Sequence, residues 1–304
     1  MTGSGETVAI VHPGKAGDLG EAADRLAGWA HAAGVPTPHL VPTTAEQPGT
    51  AQAREAVEAG ADLVLSWGGD GTLNAIATGL LGSGTALGII PGGTGNLLAR
   101  NLGIPLDLEG AASVALTGQD RRIDVVEIGL GGSVMVSTVI AGMGLDASLI
   151  DAPEELKNAI GPAAYVANSV KLLTSDSMRV AVAMDGGQPR WFTARSVLVA
   201  NVGGLIGGLD VAPESDASDG LLHVIVLPLD KPMDWARTAA HLVRRRPRQD
   251  DARIHLSGRS AWVVSQTSAP RQVDGDVVDE GRKLEARVRP GSLTVRVPAG
   301  PGGA

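Results

Sequence analysis

The length, composition and charge of the chain narrow the classes of protein to which it can belong. With 304 residues, of which 43% are hydrophobic, the chain is long enough for two domains that each bury a core. Its net charge of −8 argues against a nucleic-acid partner, because nucleic-acid binding needs a broad basic surface. The absence of cysteine excludes disulfides, thiolate metal sites and a cysteine nucleophile.

The sequence shows no sign of a targeting or membrane-spanning segment. Residues 1–6 have neither a basic start nor an apolar run, so we expect no signal peptide and a cytoplasmic location. Residues 71–99 contain no charged residue, but the stretch is rich in glycine and threonine and is interrupted by Pro91, so it is not continuously apolar. A span needs about 20 predominantly apolar residues, so we interpret this stretch as a buried helix, a buried strand and a loop.

The first third of the chain alternates between predicted strands and predicted helices. Strands are predicted at 7–11 and 39–44, and helices at 19–33 and 52–59. Lys15 follows the first strand, at the end where open α/β sheets bind ligands. It is either a phosphate contact or a solvated loop lysine.

A glycine-rich motif at 68–72 lies between an apolar run at 63–65 and a predicted helix at 73–80. Gly68, Gly69 and Gly71 lack the Cβ atoms that would keep a bound group away from the backbone, and a helix start offers unpaired N–H groups. Asp70 would repel a bare phosphate, so its presence favours a divalent cation between them. The alternative is a tight turn capped by Asp70 and Thr72.

A second glycine-rich turn, residues 91–96, follows the predicted strand at 86–90. Two such loops at the carboxyl ends of neighbouring parallel strands would face one crevice. Both loops could then contact the phosphates and the metal of one nucleotide. Arg100, in the helix that begins at residue 97, is either a phosphate contact or a surface residue.

The pattern changes after a predicted helix at 111–116, and we place a domain boundary near residue 128. Short β-rich runs separated by glycine and proline indicate an antiparallel sandwich. The runs cover residues 123–128, 134–140, 178–184, 196–202, 221–227, 261–264, 277–278 and 293–297. Helices are predicted at 154–173 and 234–245. A return of the last strand, about 292–298, to the first domain is left open.

The two glycine motifs, GGDGTLN at 68–74 and PGGTGNLLARNLGIP at 91–105, resemble those of one lipid kinase family. That family includes diacylglycerol kinases, sphingosine kinases and the bacterial YegS and DgkB enzymes. The resemblance extends over nearly the whole chain, through RRID at 121–124, AGMGLDA at 141–147, APESDASDGLL at 212–222 and QVDGD at 272–276. GGDGT alone is shared with NAD kinases, whereas its pairing with PGGTGN is much more specific.

The resemblance implies a fold and a reaction. Residues 1–128 would form an α/β nucleotide-binding domain similar to that of NAD kinases, with an open parallel sheet and helices. Residues 129–304 would form a domain of the β-sandwich type, with ATP in the cleft between the two. The reaction would be transfer of the γ-phosphoryl group, with ATP and Mg²⁺, to a hydroxyl of diacylglycerol or a related lipid.

The resemblance also implies roles for individual residues. The implied nucleotide-binding positions are His12, Thr44, Gly68, Gly69, Asp70, Gly71, Thr72, Asn74, Gly92, Gly93, Thr94 and Asn96. Asp70 would join Asp124 in a carboxylate and magnesium network. The implied ligands of a second metal site are Asp216, Asp219 and the carbonyl of Leu221.

The general base would be Asp276, at the last position of a D-G-E pattern, and Asp274 competes for this assignment. Phosphoryl transfer needs charge neutralisation, alignment of the acceptor hydroxyl and a nearby proton acceptor, which two glycine loops, Asp70 and an acidic loop can supply. The alternative is that Asp274 and Asp276 only form an Asp-Gly turn.

The chain departs from the family at four positions. His12 replaces the usual Asn, Ala75 a common Glu, Leu97 an acidic residue and Asp276 a Glu. Asp is one methylene shorter than Glu, so a base at 276 would need a shifted backbone or a bridging water. Two alternative functions stay open: a kinase of a soluble substrate such as NAD, and a catalytically impaired protein that binds lipid or nucleotide.

A lipid substrate implies peripheral contact with a membrane. The basic cluster 244–248 either binds anionic lipid headgroups or is the solvent-exposed end of a helix. The oligomeric state is left open, with a homodimer as one alternative.

Overall fold

The computed structural model describes residues 6–144, 177–204, 210–227 and 254–299. Its contacts divide the chain into two compact units, Met1–Asp124 with Gly291–Ala304, and Val125–Pro290. The predicted helices at 154–173 and 234–245 and the basic cluster 244–248 lie outside the described residues.

The first unit is an open parallel sheet with helices. Its strands are β1 (Thr7–Val11), β2 (His39–Pro42), β3 (Leu63–Gly68) and β4 (Ala86–Pro91). Its helices are α1 (Pro13–Ala16), α2 (Leu19–Ala33), α3 (Thr50–Glu58), α4 (Asp70–Leu80), α5 (Leu97–Asn101) and α6 (Leu108–Thr117). The strands pair in the order β2-β1-β3-β4, and every pair is parallel. The predicted α/β class of this unit is confirmed.

Helix α2 shows how local sequence sets an element of this unit. The Asp18 side chain caps its start by accepting hydrogen bonds from two backbone N–H groups, and Gly34, with a φ of 68°, ends it in the left-handed conformation. Ala22, Leu26 and Ala30 recur every four residues and are buried, so one face of the helix packs onto the core of the sheet.

A further strand, β14 (Asp276–Val297), ends in the first unit. Thr294 pairs with Ala86 and Val295 with Leu87, both in parallel register with β4. The backbone N–H of Gly291 also donates a 2.7 Å hydrogen bond to the Asp124 carboxylate. The first unit is therefore built from two stretches of chain that are far apart in sequence.

The second unit consists of antiparallel pairs. Its strands are β5 (Gln119–Gly129), which enters from the first unit, β6 (Val134–Ser137), β7 (Ile140–Gly144), β8 (Met178–Met184), β9 (Arg190–Ala194), β10 (Ser196–Ala200), β11 (Leu222–Leu227), β12 (Ile254–Gly258), β13 (Ser260–Val273) and the start of β14. One set pairs in the order β12-β11-β10-β7-β13. A second set pairs in the order β9-β8-β13.

Strand β13 belongs to both sets. Its residues 261–265 pair with β8, its residues 271–273 pair with β7, and its pairing with β14 shifts register between Val264 and Ala269. Strands that change sheet at such irregularities are typical of β-sandwiches. Alternate residues of these strands, including Val180, Val182 and Val263, form one buried core, and the predicted β-sandwich class of the second unit is confirmed.

Some boundaries differ from the predicted ones. The single strand predicted at 134–140 is two strands, because the backbone N–H groups of Thr138 and Val139 donate to the Asp274 carboxylate. The runs predicted at 277–278 and 293–297 belong to one 22-residue strand, β14. Helix α4 starts at Asp70 instead of Leu73, so the first glycine motif is partly helical.

Candidate active site

The first glycine motif places a helix start directly after a strand. Gly68 is the last residue of β3, Gly69 is the N-cap, and Asp70 is the first residue of α4. The first N–H groups of a helix have no partner within it, and the helix dipole is positive there. A Cβ atom on Gly68 would lie 2.7 Å from that of Thr72, so only glycine fits where the strand turns into the helix.

The second glycine motif packs against the first. The N–H of Gly92 donates a 2.7 Å hydrogen bond to the carbonyl of Gly68. A Cβ atom on Gly93 would lie 2.9 Å from the Cα of Gly69, and one on Gly92 would lie 3.0 Å from the Cβ of Lys15. Side chains at these glycines would force the loops apart. The two motifs therefore form one backbone-rich surface at the ends of the neighbouring strands β3 and β4.

The Asp70 carboxylate ties the two motifs together. It accepts hydrogen bonds from the backbone N–H groups of Asn96, at 2.8 Å, and Leu97, at 2.7 Å. These N–H groups belong to the start of α5, where a negative charge is favourable. Asp70 thus caps a helix that begins 27 residues after it.

Asn96 shapes the second loop from within. Its side-chain oxygen accepts from the N–H of Gly93 at 3.1 Å, and its side-chain nitrogen donates to the carbonyl of Gly93 at 2.7 Å. The residue is buried, and its φ of 48° is left-handed. The side-chain amide of Asn96, a predicted nucleotide-binding position, thus closes the loop.

The remaining predicted nucleotide-binding residues follow the carboxyl ends of four neighbouring parallel strands. His12 follows β1, Thr44 follows β2, Asn74 lies on α4 after β3, and Thr94 follows β4. Thr44 and Thr94 are exposed. His12 donates its backbone N–H to the carbonyl of Trp67 at 2.9 Å.

The chemistry of this edge suits a phosphate group. The His12 Nδ1 atom is buried and has no hydrogen-bond partner within the described part of the chain. Lys15 is exposed beside Gly92, and the helix start at Asp70 supplies N–H donors. A cation, N–H groups and a glycine cradle are the groups that anion-binding loops use.

Asp124, the predicted second carboxylate of the magnesium network, is buried on β5. Its Oδ1 atom accepts the N–H of Gly291 at 2.7 Å. This bond anchors the start of the returning segment of β14 to the first unit.

The acidic turn of the second unit separates the two candidate bases. Asp274 is buried and accepts five hydrogen bonds from one short segment: Ser137 Oγ at 2.6 Å, Thr138 N at 2.7 Å, Thr138 Oγ1 at 2.8 Å, and Val139 N and Ile140 N at 3.0 Å each. With φ values of 47° and 99°, Asp274 and Gly275 form a tight hairpin turn between β13 and β14. An Asp-Gly turn is therefore present, and Asp274 holds it in place.

Asp276 differs from Asp274 in exposure. It is the first residue of β14 and is exposed. Partial burial of its carboxyl group, and then the negative charge of Asp274, raise the pKa of Asp276 above the usual 3.8. A carboxylate with a raised pKa is the better proton acceptor.

The predicted metal residues of the second unit lie together in one loop. Asp216 Oδ1 accepts the N–H of Ser218 at 2.8 Å, and Asp219 accepts the N–H groups of Leu221, at 2.8 Å, and Asp216, at 3.1 Å. Within the described ranges there is no group of three or more His, Cys, Asp or Glu side chains that could hold a metal ion.

Two histidines beside this loop were not found by the sequence analysis. His223 Nε2 lies 3.0 Å from Asp219 Oδ2, and its Nδ1 atom lies 2.9 Å from Nε2 of His255. Glu214 lies on the other side of His255, with its Oε2 atom 3.7 Å from His255 Nδ1. The two histidines are 32 residues apart, so no local spacing signals the contact.

No helix in the described residues is both long and apolar enough to cross a membrane.

Comparisons with known proteins cover both units. The family model described as the diacylglycerol kinase catalytic domain matches residues 7–128, and the one described as the YegS C-terminal NAD kinase beta sandwich-like domain matches residues 138–297.

Relatives and solved structures agree with these matches. A Pseudomonas aeruginosa protein named probable lipid kinase YegS-like is 34% identical over 254 residues, which is 81% of this chain and 80% of that protein. The diacylglycerol kinase of Bacillus subtilis is 30% identical over 241 residues, 77% of each chain.

A Bacillus anthracis structure, provisionally named a diacylglycerol kinase, has a similar fold with a TM-score of 0.80, 23% identity, and coverage of 98% of this chain and 96% of its own. An Archaeoglobus fulgidus NAD kinase solved with ATP has a TM-score of 0.51 and 15% identity, and the alignment covers 95% of this chain and 93% of that one. Both structures bear on fold alone. Since the two family models together span most of the chain, the protein belongs to the diacylglycerol kinase catalytic-domain family of YegS-like lipid kinases.

Proposed function

We propose that the protein transfers the γ-phosphoryl group of ATP, with Mg²⁺, to a hydroxyl group of diacylglycerol or a related lipid. The observation that carries this proposal is the pair of glycine loops interlocked through Gly69, Gly93 and the Asp70 carboxylate. Such a surface presents backbone N–H groups to phosphate oxygens, and its glycines let a phosphate approach the backbone closely. The family membership supports a kinase, and the names of the relatives support a lipid acceptor.

The residues of the first unit would bind and orient the nucleotide. The helix start at Asp70 would donate N–H groups to phosphate oxygens, with the glycines of the loop 92–94 packed against it and with His12 and Lys15 nearby. Asp70 and Asp124 are the carboxylates we assign to Mg²⁺, which when bound would neutralise charge on the phosphates. Positioning and charge neutralisation supply most of the rate enhancement in phosphoryl transfer.

In the second unit, Asp276 is the residue to which we assign the acceptor's proton. As the hydroxyl oxygen bonds to the γ-phosphorus, the bond from phosphorus to the bridging oxygen of ADP breaks and the hydroxyl proton passes to the Asp276 carboxylate. Its exposure and raised pKa suit this role. Asp274, whose oxygens accept five hydrogen bonds from 137–140, is a positioning residue that fixes the turn.

The loop with Asp216, Asp219 and the carbonyl of Leu221 would hold a second metal ion with a structural role. Support comes from the placement of both carboxylates on one loop of short hydrogen-bonded turns. The melting temperature of the protein, measured as Mg²⁺ is titrated in, tests this assignment. Stabilisation that Asp219→Asn abolishes is the expected result.

A phosphate-transfer assay tests the proposed function. The protein is incubated with γ-labelled ATP and either a mixed lipid extract or NAD, and labelled products are separated and identified by mass spectrometry. We expect label in the lipid fraction, a dependence on Mg²⁺, and loss of label in Asp70→Ala.

Each other outcome contradicts the proposal in a distinct way. Label in NAD would favour a kinase of a soluble substrate, in line with the NAD kinase-like fold. Binding of ATP without labelling of any lipid or of NAD would favour a catalytically impaired binding protein, as the Asp at 276 allows. Full activity of Asp70→Ala would contradict the site assignment.

A further inference from the structure

One face of the second unit carries two of the five tryptophans of the chain. On β8, Ala181 lies opposite Trp191 of β9, and Ala183 lies opposite Trp262 of β13. Residues directly opposite each other in an antiparallel pair project to the same side of the sheet, and so do residues two apart along a strand. Both tryptophans therefore lie on one face, which we call the tryptophan face.

This face points away from the core of its unit. The intervening residues Val180, Val182 and Val263 are the ones that pack into the buried core. On the opposite side, Trp191 is 52% exposed and Trp262 is 36% exposed. Tryptophan is usually among the more buried residue types, so two exposed rings on one sheet face indicate a binding surface.

The charges on the tryptophan face are mainly positive. Arg179 lies two residues before Ala181, and its guanidinium carbon is 5.4 Å from the centroid of the Trp191 ring. On β14 the register places Glu285 opposite Trp262, with Lys283 and Arg287 two residues to either side. Lys283 Nζ lies 2.7 Å from Glu285 Oε1, so these two residues form an ion pair, and Arg179 and Arg287 give the face its net positive charge. The whole chain, in contrast, has a net charge of −8.

We propose that the tryptophan face docks onto the surface of an anionic lipid bilayer. Indole rings prefer the bilayer interface, where an apolar body and a polar N–H group are both accommodated. Arginine and lysine beside them would meet negatively charged headgroups. The inference rests on the proposed function, because a kinase that acts on a membrane lipid has to reach the bilayer surface.

The charge distribution favours a bilayer over a second copy of the chain. A symmetric dimer through this face would bring the same basic residues of two copies together. An anionic surface, in contrast, attracts Arg179 and Arg287 although the protein as a whole is acidic.

Vesicle binding tests the inference independently of catalysis. Co-sedimentation is measured with vesicles of phosphatidylcholine alone and of phosphatidylcholine mixed with phosphatidylglycerol. We expect binding to the mixed vesicles, weakened about tenfold or more in Trp191→Ala/Trp262→Ala. Leu106→Ala, at a position of the first unit that is 38% exposed, is the matched control and should bind like the wild type.

A second pair of variants addresses charge with little risk to folding. Arg179→Gln/Arg287→Gln should weaken binding to the mixed vesicles by roughly fivefold for each charge removed, and less so at high salt. Arg54→Gln, an exposed basic position on α3, is the control. Unchanged binding of both the tryptophan and the arginine variants would overturn the inference.

Tryptophan emission gives a readout in the unaltered protein. Brominated phosphatidylglycerol should quench part of the emission of the wild type, and Trp191→Phe/Trp262→Phe should lose that quenched part. No quenching while vesicles are bound would place the contact elsewhere and overturn the inference. A change from dimer to monomer in Trp191→Ala/Trp262→Ala, with vesicle binding intact, would assign the face to a second copy instead.

The lipid kinase assay in detergent micelles separates this inference from the proposed function. We expect Trp191→Ala/Trp262→Ala to phosphorylate lipid in micelles normally and lipid in vesicles poorly. A wild type that phosphorylates lipid in micelles, but whose tryptophan variant binds vesicles normally, would overturn only the docking surface. A wild type that phosphorylates no lipid in micelles would overturn the proposed function, whatever the vesicles show.

Discussion

Asp70 in the first unit and Asp274 in the second have similar contacts and different surroundings. Each carboxylate accepts backbone N–H groups from a segment distant in sequence, 96–97 for Asp70 and 138–140 for Asp274. Asp70 is half-buried among glycines, and the groups it organises are backbone atoms. Asp274 is buried next to an exposed carboxylate, Asp276.

This difference shows how one kind of hydrogen bonding can serve two purposes. In the first unit the carboxylate holds the start of α5 and so shapes the backbone-rich surface of the two glycine motifs. In the second, a buried carboxylate fixes a turn, and its charge contributes to the raised pKa of its neighbour. Asp274 builds the turn in which it lies, whereas Asp276 is the residue to which we assign proton transfer. The following changes test the roles assigned to these carboxylates and to the glycine loops.

The largest expected effect is that of Asp276→Asn on activity. Removal of a general base typically costs about 100-fold to 10,000-fold in rate, so we expect kcat for lipid phosphorylation to fall by at least about 100-fold. Because Asp276 is exposed, the melting temperature at neutral pH should not fall. Glu280→Gln, an exposed acid on the same strand, is the control. Activity within a few-fold of the wild type would show that Asp276 is not the base.

Asp274→Asn should act on stability instead. An amide would turn N–H donors toward the N–H groups of 138–140 and leave buried donors unpaired, which costs roughly 2–4 kcal/mol of unfolding free energy. Urea titration measures the loss, with Asp276→Asn as the matched comparison. Equal stabilities of the two variants would remove the distinction between positioning residue and base.

Gly93→Ala tests the backbone contact between the two glycine loops. Its Cβ would lie 2.9 Å from the Cα of Gly69, and backbone cannot yield as a side chain can, so we expect about 1–3 kcal/mol of destabilisation. Gly28→Ala, on α2 with no atom within 4 Å of the added Cβ, should instead stabilise by roughly 0.5–1 kcal/mol. A neutral Gly93→Ala would mean that the loops tolerate separation.

The smallest effect is a pH-dependent difference in stability between Asp276→Asn and the wild type. Since the folded pKa of Asp276 is raised above 3.8, the stability that its protonated form contributes is fully present below pH 3.8 and is lost as the pH rises through the folded pKa. Asn cannot lose a proton. Melting temperatures should therefore agree at low pH and favour Asp276→Asn above the raised pKa. The opposite sign would mean that the turn lowers this pKa.

Much of the fold follows from local sequence. Helix α2 has the predicted bounds because Asp18 and Gly34, which cap it, flank its apolar repeat. Strands β9 and β12 were missed because each is only five residues long and only its last residue is fully buried, so neither forms a long apolar run. The split between β6 and β7 depends on Asp274, more than 130 residues away, and no local pattern encodes it.

The candidate site divides in the same way. The glycine motifs can be recognised from sequence because the requirement for glycine is local. The capping of α5 by Asp70, the bonds of Asp274 and the contact between His223 and His255 join residues distant in sequence, so the sequence identified some of these residues but not their partners. The tryptophan face was missed because its residues come from four strands whose register only the structure gives.

The pairing of Thr294 and Val295 with β4 has a consequence for how the protein is made. During synthesis, the residues that form β1 to β4 emerge long before the strand that covers the outer edge of β4, and the whole second unit is translated in between. Contacts between such distant residues slow folding, and an unpaired strand edge favours aggregation. The nascent first unit should therefore need chaperone protection until Thr294 and Val295 have been translated, and a fragment that ends at Asp124 should be poorly soluble on its own.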